Sequence, residues 1–490
     1  VWHRRPACAR EAPIRFFILT LFIFPLLTAT AQIDSRPDTI ARIVGYSMTR
    51  GGASEFLETI TDRIGPRITG SKESRATADL ILKALKDAGF SNPHFEEYQF
   101  APGWQKGTTT GEILSPIRRS LLVGTYGWVP GTQGPIEVPV VDLGSIESGH
   151  PEIPPQVRGA AVLVDLKSNA LGTTYVAARY HVSQALAKAG AAAMMIISDK
   201  PDRMLYTSAF LFYPRGALPV LSIPNEDGTL LRRLAAKGEV KIRLDVPNSF
   251  DDRPQTERNV IADIEGADPS KMVLLTAHFD SWDAAQGAND NAVGVAVVLE
   301  AGRILKSLGI KPRHTIRLVF FSGEEQDDLG SNAYVRQHKS ELDNVWAVIN
   351  TDHGAQSPFG LVLYGRDDLK SATEKVLKPL APLGGGQAVM DAAFDSDEEA
   401  FMVVGVPAFS IAVEDADYNF RHHTIIDTYE RIEPRMVGLQ TAIMAVAGYS
   451  FAEADQPPGR RLSSSEVHEL LKKTGLEQLY ELDYPNKKPY

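Results

Sequence analysis

The sequence predicts an α/β protein: a mostly parallel, twisted sheet with helices on both faces, plus a strand-rich inserted domain. Three observations carry this. Short apolar runs such as KMVLLTAH (Lys271–His278), RLVFF (Arg317–Phe321) and Val345–Asn350 alternate with stretches of helical period. Each run ends in a polar cluster, and in a parallel sheet such ends gather at one edge, where binding sites form. Composition turns rich in Gly, Pro and strand patterns at about Gly107 and reverts before Asn259.

The first element is a targeting segment. Arg4, Arg5, Arg10 and Arg15 precede the apolar run Phe16–Leu27, and Ala29-Thr30-Ala31 forms a small-residue cleavage pattern. The run is short for a membrane span and Pro25 interrupts it, so residues 1–31 are expected to be a cleaved signal rather than a stable membrane anchor. The expected location is periplasmic or secreted. Cys8, the single cysteine, would leave with the signal, so no disulfide or thiolate ligand is expected afterwards. Residues 1–31 hold four Arg and one Glu; removing that +3 from the overall −10 leaves −13, which argues against nucleic acid as a partner. With 490 residues, 43% hydrophobic and 23% charged, the chain has the composition of a globular enzyme with two or three domains.

Downstream, Ser54–Ile64 reads as an amphipathic helix capped by Ser54. GPRITGS (Gly65–Ser71) is a turn, Glu73–Gly89 a second helix ended by Gly89, and His94–Phe100 a strand. Residues 107–249 read as the insert, with one clear helix at Ser183–Ala191. It presents no His–carboxylate cluster and is assigned no chemistry. Residues 32–106 and 250–455 form the catalytic domain. There Asn259–Gly266 and Lys271–His278 read as neighbouring strands, and Asn291–Ser307 as a helix packed by Val293, Val297, Val298 and Ile304. Strands follow at Thr315–Phe321, Val345–Asn350, Gly360–Tyr364 and Val406–Val413, with helices at Leu369–Leu380 and Glu433–Glu453. The tail, 456–490, has a Pro-Pro break and a short helical stretch, Ser465–Thr474. Nothing in the sequence sets an oligomeric state.

The polar clusters carry the chemistry. His278 and Asp280 are two residues apart at a strand end and point to one side, which places Asp280 to orient the His278 ring. Asp290 lies in GANDN, a turn into a helix, where an N-cap is the alternative reading. Adjacent Glu324 and Glu325 generally point different ways, so one can hold a metal while the other accepts a proton. Asp352 ends another strand, and FRHHTIIDTYE (Phe420–Glu430) brings His422, His423 and Asp427. Carboxylates and imidazoles gathered at one edge repel one another unless cations sit among them, and zinc suits this mixture of ligands.

HFDS (His278–Ser281), GANDN (Gly287–Asn291), FSGEE (Phe321–Glu325), NTD (Asn350–Asp352) and HTIIDT (His423–Thr428) resemble, in this order, the motif series of the co-catalytic two-zinc exopeptidases. That family includes bacterial leucine-type aminopeptidases, glutamate carboxypeptidase and carboxypeptidase Q. GPRITGS resembles its N-terminal segment, and residues 107–249 its protease-associated insert. The resemblance implies two zinc ions, with His278 and Asp352 on different ions, Asp290 bridging them, Glu325 on one ion and His423 on the other. It implies Glu324 as general base, Asp280 as the carboxylate behind His278, and a cis peptide after Asp290. The expected activity is hydrolysis of short peptides through a metal-bridging water, as an aminopeptidase or dipeptidase. A glutamate-type carboxypeptidase would need cationic recognition, for which Arg421 beside His422 is the one candidate. A glutaminyl cyclase would lack the insert, and a receptor-like relative would be expected to lose ligands. Two departures stand out: Val293 where relatives carry Ser or Thr, and Glu398 in SDEEAF (Ser396–Phe401) where relatives often have His, adding charge on the expected substrate side.

Overall fold

A computed structural model of the chain describes residues 36–146, 152–166, 175–209, 215–394 and 396–483. The expected signal segment, 1–31, lies outside the described residues. Two eight-stranded sheets dominate. In the first, Asp268–His278 runs parallel to His314–Phe321 on one side and to Val345–Asn350 on the other, and Val345–Asn350 is parallel to Ala408–Ala412. Antiparallel strands flank this block: Gln255–Ile264 and Ser91–Phe100 at one edge, Gly360–Val362 at the other. Gln255–Ile264 and Asp268–His278, expected as neighbours, are separated by His314–Phe321. A tight connection permits a hairpin, but here the interposed strand completes the parallel block.

The central strands are apolar throughout because both faces are covered. Along one strand, Val273, Leu275 and Ala277 enter a core with the helices Val293–Ser307 and Pro434–Ala452, while Met272 and Leu274 enter a second core with Tyr334, Phe401 and Leu471. Leu471 lies on the tail helix Ser464–Thr474, capped reciprocally by Ser463 and Glu466. The tail therefore covers the second face of the sheet.

Several expected elements shift. The helix expected at Ser54–Ile64 starts at Gly52, with Ser54 inside it, and its last turn, Thr59–Ile64, is widened. The next helix, Lys72–Asp87, is capped by Ser71, whose side chain accepts from the Ser74 N–H at 3.0 Å. A helix at Arg36–Thr49 escaped the sequence reading.

The second sheet contains strands from Thr110–Ser115 to Lys241–Asp245, closed at one edge by Gly124–Thr125 paired with Val220–Ile223. Two helices accompany it, Tyr175–Ala189 and Asn225–Ala235, where the sequence suggested one. The second begins right after Pro224, which sits outside the helix as its N-cap.

Candidate active site

Parallel strands deliver their C-terminal ends to one edge. His278 closes its strand; Glu324 and Glu325 follow Phe321 across the Ser322–Gly323 turn; Asp352 follows Asn350 by two residues. Gly323 has φ +75°, and a Cβ there would come 2.7 Å from the Tyr98 hydroxyl, so the turn needs glycine. The Asn291 side chain accepts from the Gly294 N–H at 3.0 Å and donates to the Thr351 carbonyl at 2.8 Å. Asn291 thus takes the capping work, which leaves the Asp290 carboxylate for the site. The Asp290–Asn291 peptide is cis, as the resemblance implied.

Asp290 lies between two pairs. Its Oδ1 is 3.4 Å from His278 Nε2, and His278 Nε2 is 2.9 Å from Asp352 Oδ1. Its Oδ2 is 3.1 Å from His423 Nε2, which is 3.0 Å from Glu325 Oε2. The close pairs differ from the expected partition: His278 lies against Asp352, and Glu325 against His423. Donors about 3.3 Å apart span the edge of a tetrahedron with bonds of about 2.0–2.1 Å, so each close pair fits one coordination shell. His422 stacks on His423 with ring centroids 3.6 Å apart, but its Nε2 is farther from Asp290, at 3.6 Å. Glu324 Oε2 is 3.8 Å from His278 Nε2.

Asp280 sits behind this layer, fully buried. It lies 3.5 Å from His278 Nδ1 and accepts from Thr69 Oγ1 at 2.7 Å and from the Glu324 and Glu325 N–H groups at 3.3 Å each. It therefore positions both glutamates as well as the imidazole. Asp427 accepts from the Asn289 and Asp290 N–H groups at 2.6 and 3.2 Å and so holds the turn from below.

The electrostatics are those of a site built for cations. Burial, with the charge of Asp290, pushes Glu325 up to about 7, and burial does the same to Asp427, to about 7. Burial also raises Glu324 well above the carboxylate range, with Asp352 adding to it. Burial opposes charge on His278, yet Asp352 and Glu324 raise its pKa well above the usual. Burial and the neighbouring His423 keep His422 well below it. Imidazoles and carboxylates this close together are groups that a dication would satisfy at once. The donor set of two imidazoles and three carboxylates, His278, His423, Asp290, Glu325 and Asp352, fits zinc.

Arg67 was missed by the sequence reading, although GPRITGS was noted. Fully buried, it donates from Nε to the Phe279 carbonyl at 2.7 Å, from Nη1 to Gly65 and Gln286 at 2.8 Å each, and from Nη2 to Gly287 at 2.8 Å. The signal was a charged residue inside an otherwise turn-like Gly-Pro segment. Glu398 is corrected as well. It is buried, accepting from Asn350 Nδ2 and the Tyr364 hydroxyl at 2.6 Å each, and so braces the strand end that leads to Asp352 rather than charging the substrate side. Val293 is buried in the first core. Arg421 does not line the cleft; its guanidinium donates to the Arg431 carbonyl at 2.8 Å.

The cleft above these residues has a volume of about 560 Å³. Asp290, Glu324, Glu325, Asp352, His422 and His423 line one end, and Phe359, Val389, Phe394 and Ile411 an apolar wall. Arg179, Ser208 and Ala209 reach it from between residues 107 and 249, a segment assigned no chemistry from sequence.

Two groups able to hold a metal ion, His278 with Glu324 and Asp352 and Asp290 with His422 and His423, sit at the carboxyl edge of a parallel sheet, the arrangement of a metallohydrolase. Residues 259–447 match the profile described as Peptidase family M28. The chain is 28% identical to carboxypeptidase Q of Mus musculus over 87% of this chain and 91% of that one. It is 27% identical to the "probable leucine aminopeptidase 2" of Aspergillus oryzae, over 70% and 68%. A peptidase M28 precursor from Shewanella amazonensis has the same fold at a TM-score of 0.78, with 26% identity, covering 88% of this chain and 100% of that one. BSAP, a zinc aminopeptidase from Bacillus subtilis, superposes at 0.66 with 22% identity over 84% and 97%, a likeness of fold. These likenesses support a co-catalytic zinc exopeptidase family, with the M28 match confined to residues 259–447, and they indicate a zinc metallopeptidase.

Proposed function

We propose that the protein is an exported aminopeptidase or dipeptidase that uses two zinc ions to hydrolyse short peptides. The observation that carries this reading is the position of Asp290, with one oxygen toward His278 and the other toward His423. One ion would be held by His278, Asp352 and Asp290, the other by Glu325, His423 and Asp290. Bound zinc supplies Lewis-acid polarisation of the scissile carbonyl and activation of an attacking water. Glu324 then acts as general base: its carboxylate faces the cleft, accepts the water proton and returns it to the leaving amine. Asp280 positions Glu324 through the main-chain N–H and His278 through Nδ1. Residues 107–249 are read as a protease-associated domain, and residues 1–31 as the signal that exports the chain. No helix among the described residues is long and apolar enough to cross a membrane.

The lining supports the choice of peptide end. Beyond the ligand residues, Asp327, Asp328, Asp391 and Glu399 face the cleft, and this acidity suits a free α-ammonium group. The apolar wall suits an apolar side chain. Arg179 favours a second reading, in which a C-terminal carboxylate is also recognised, as in a dipeptide or a carboxypeptidase substrate. The test is a panel of dipeptides, their C-terminal amides, N-acetylated peptides and N-terminal Gln peptides, assayed with zinc-loaded and chelated protein. Hydrolysis of free dipeptides and amides, with loss on N-acetylation, is expected. Turnover that survives N-acetylation and needs the C-terminal carboxylate establishes the carboxypeptidase instead, and cyclised Gln peptides a cyclase.

A further inference from the structure

His423 presents its ring from an unusual backbone. Its φ is +59°, in the left-handed region that residues with a Cβ rarely occupy. The helix Asp415–Arg421 has already ended, and a turn closed by the Thr424 N–H donating to the Arg421 carbonyl at 2.9 Å sets His423 there. A distant segment braces that turn. The Thr207 N–H donates to the His423 carbonyl at 2.9 Å, and the Ile425 N–H donates to the Leu205 carbonyl at 3.2 Å. Together these form an antiparallel bridge pairing Tyr206 with Thr424. The Tyr206 ring lies 5.8 Å from the His423 ring; Trp282 and His422 wall it at 6.3 and 3.6 Å. The Lys200 ammonium donates to the Asn419 carbonyl just before the same loop.

The other side of this strap is anchored beside the second sheet, by the segment after Gly124–Thr125 and the helix Tyr175–Ala189. The Gly127 N–H donates to the Ser208 carbonyl at 2.9 Å, and the buried Arg179 donates to the Ala209 carbonyl at 2.7 Å. Leu205 and Thr207 are themselves buried, so the contact is packed rather than draped. The strap also lies outside the segment that matches the family, residues 259–447.

We infer that Leu205–Thr207 is a positioning element of the metal centre: it clamps the main chain on both sides of Thr424 and so fixes the ring of His423 for its ion. The second sheet thereby completes a site to which it donates no ligand. Groups that orient a ligand are worth about 10–100-fold in metal affinity, and a main-chain clamp acts by the same means, removing the conformations in which the imidazole points away. The inference rests on the two-ion reading above.

The experiment is zinc retention in the full-length protein across a chelator series, read by elemental analysis. Tyr206→Ala removes the ring and Thr207→Pro removes the donor N–H. His423→Ala and Asp352→Ala mark which ion is which. Arg243→Ala, on the strand Lys241–Asp245 toward the other edge of the second sheet, is the control. Both strap variants are expected to release the ion that His423→Ala loses at about 10–100-fold lower chelator, and to keep the ion that Asp352→Ala loses. The control titrates as wild type. Folded Thr207→Pro with both ions held as in wild type overturns the clamp, and so does equal weakening of both ions, which would mean the strap only supports the fold; where Thr207→Pro does not fold, Tyr206→Ala with both ions held as in wild type overturns the part that the ring plays. A wild type that binds one ion overturns the two-ion reading instead; the clamp then stands only if Thr207→Pro weakens that ion as His423→Ala does.

Discussion

Replacing Arg67 with Met tests how the ligand turn is held. The guanidinium serves four main-chain carbonyls, those of Gly65, Phe279, Gln286 and Gly287, at 2.7–2.8 Å. Two of these residues lead into the Asp290 turn and one follows His278, so one side chain ties both ligand segments to the N-terminal turn. Methionine fills much of the space but donates nothing. A buried acceptor left without a donor costs about 1–3 kcal/mol, so four at the low end give a loss of about 4 kcal/mol. A second effect depends on metal. Burial lowers the Arg67 pKa to about 10, yet Asp427, Asp280, Asp290 and Glu325 act to keep it charged. In chelated protein it is a fixed cation among these acids; with zinc bound, the ions take over that balance. Urea unfolding followed by far-UV circular dichroism, in chelator and in excess zinc, measures both parts. The Arg67→Met loss should be several kcal/mol and larger in chelator. A loss below about 1 kcal/mol in both conditions would refute the hydrogen-bond argument, and equal losses would refute the countercharge.

Three further outcomes are expected. Glu324→Gln should lower kcat by about 10²–10⁴-fold while retaining the zinc of the wild type, because the base is separate from the ligands; near-wild-type turnover would mean another group takes the proton. His278→Ala and Asp352→Ala should remove one and the same ion, and Glu325→Ala and His423→Ala the other, which metal analysis of the six double mutants, two within and four across the pairs, decides. Metal-free protein should lose thermal stability as pH rises. Glu325 and Asp427 are raised to about 7 in the fold; below their unfolded values both states are protonated, and from about pH 4 to about 7 the folded state alone holds the protons, so stability falls across that window. His278 and His423, also raised, lose theirs as the pH rises past the ordinary imidazole range in the same direction. Thermal scans in chelator and in zinc between pH 4 and 8 check this, and zinc should flatten the slope.

Much of the catalytic sheet was legible because its strands carry unbroken apolar runs that end in charge. Lys271–His278, Arg317–Phe321 and Val345–Asn350 leave no other way to bury both faces, and their order along the chain already puts His278, Glu324, Glu325 and Asp352 at one edge. The stretch Phe420–Glu430 stands out by His422 and His423 beside Asp427, and the resemblance selects His423. Helix starts were less legible, as at Gly52 and Asn225, because short polar residues cap and interrupt with nearly equal ease.

The sequence by itself determined which side chains the site would contain, since strand ends are set by local pattern and the chemistry by residue type. Only the tertiary structure decided how they are shared: His278 with Asp352 and Glu325 with His423, because neighbours in the sheet are not neighbours in the chain. It likewise decided that Arg67, Glu398 and the Leu205–Thr207 strap belong to the site. Their contribution runs through main-chain carbonyls, N–H groups and buried acceptors, and such partners are chosen by packing across long separations that no local pattern of residues encodes.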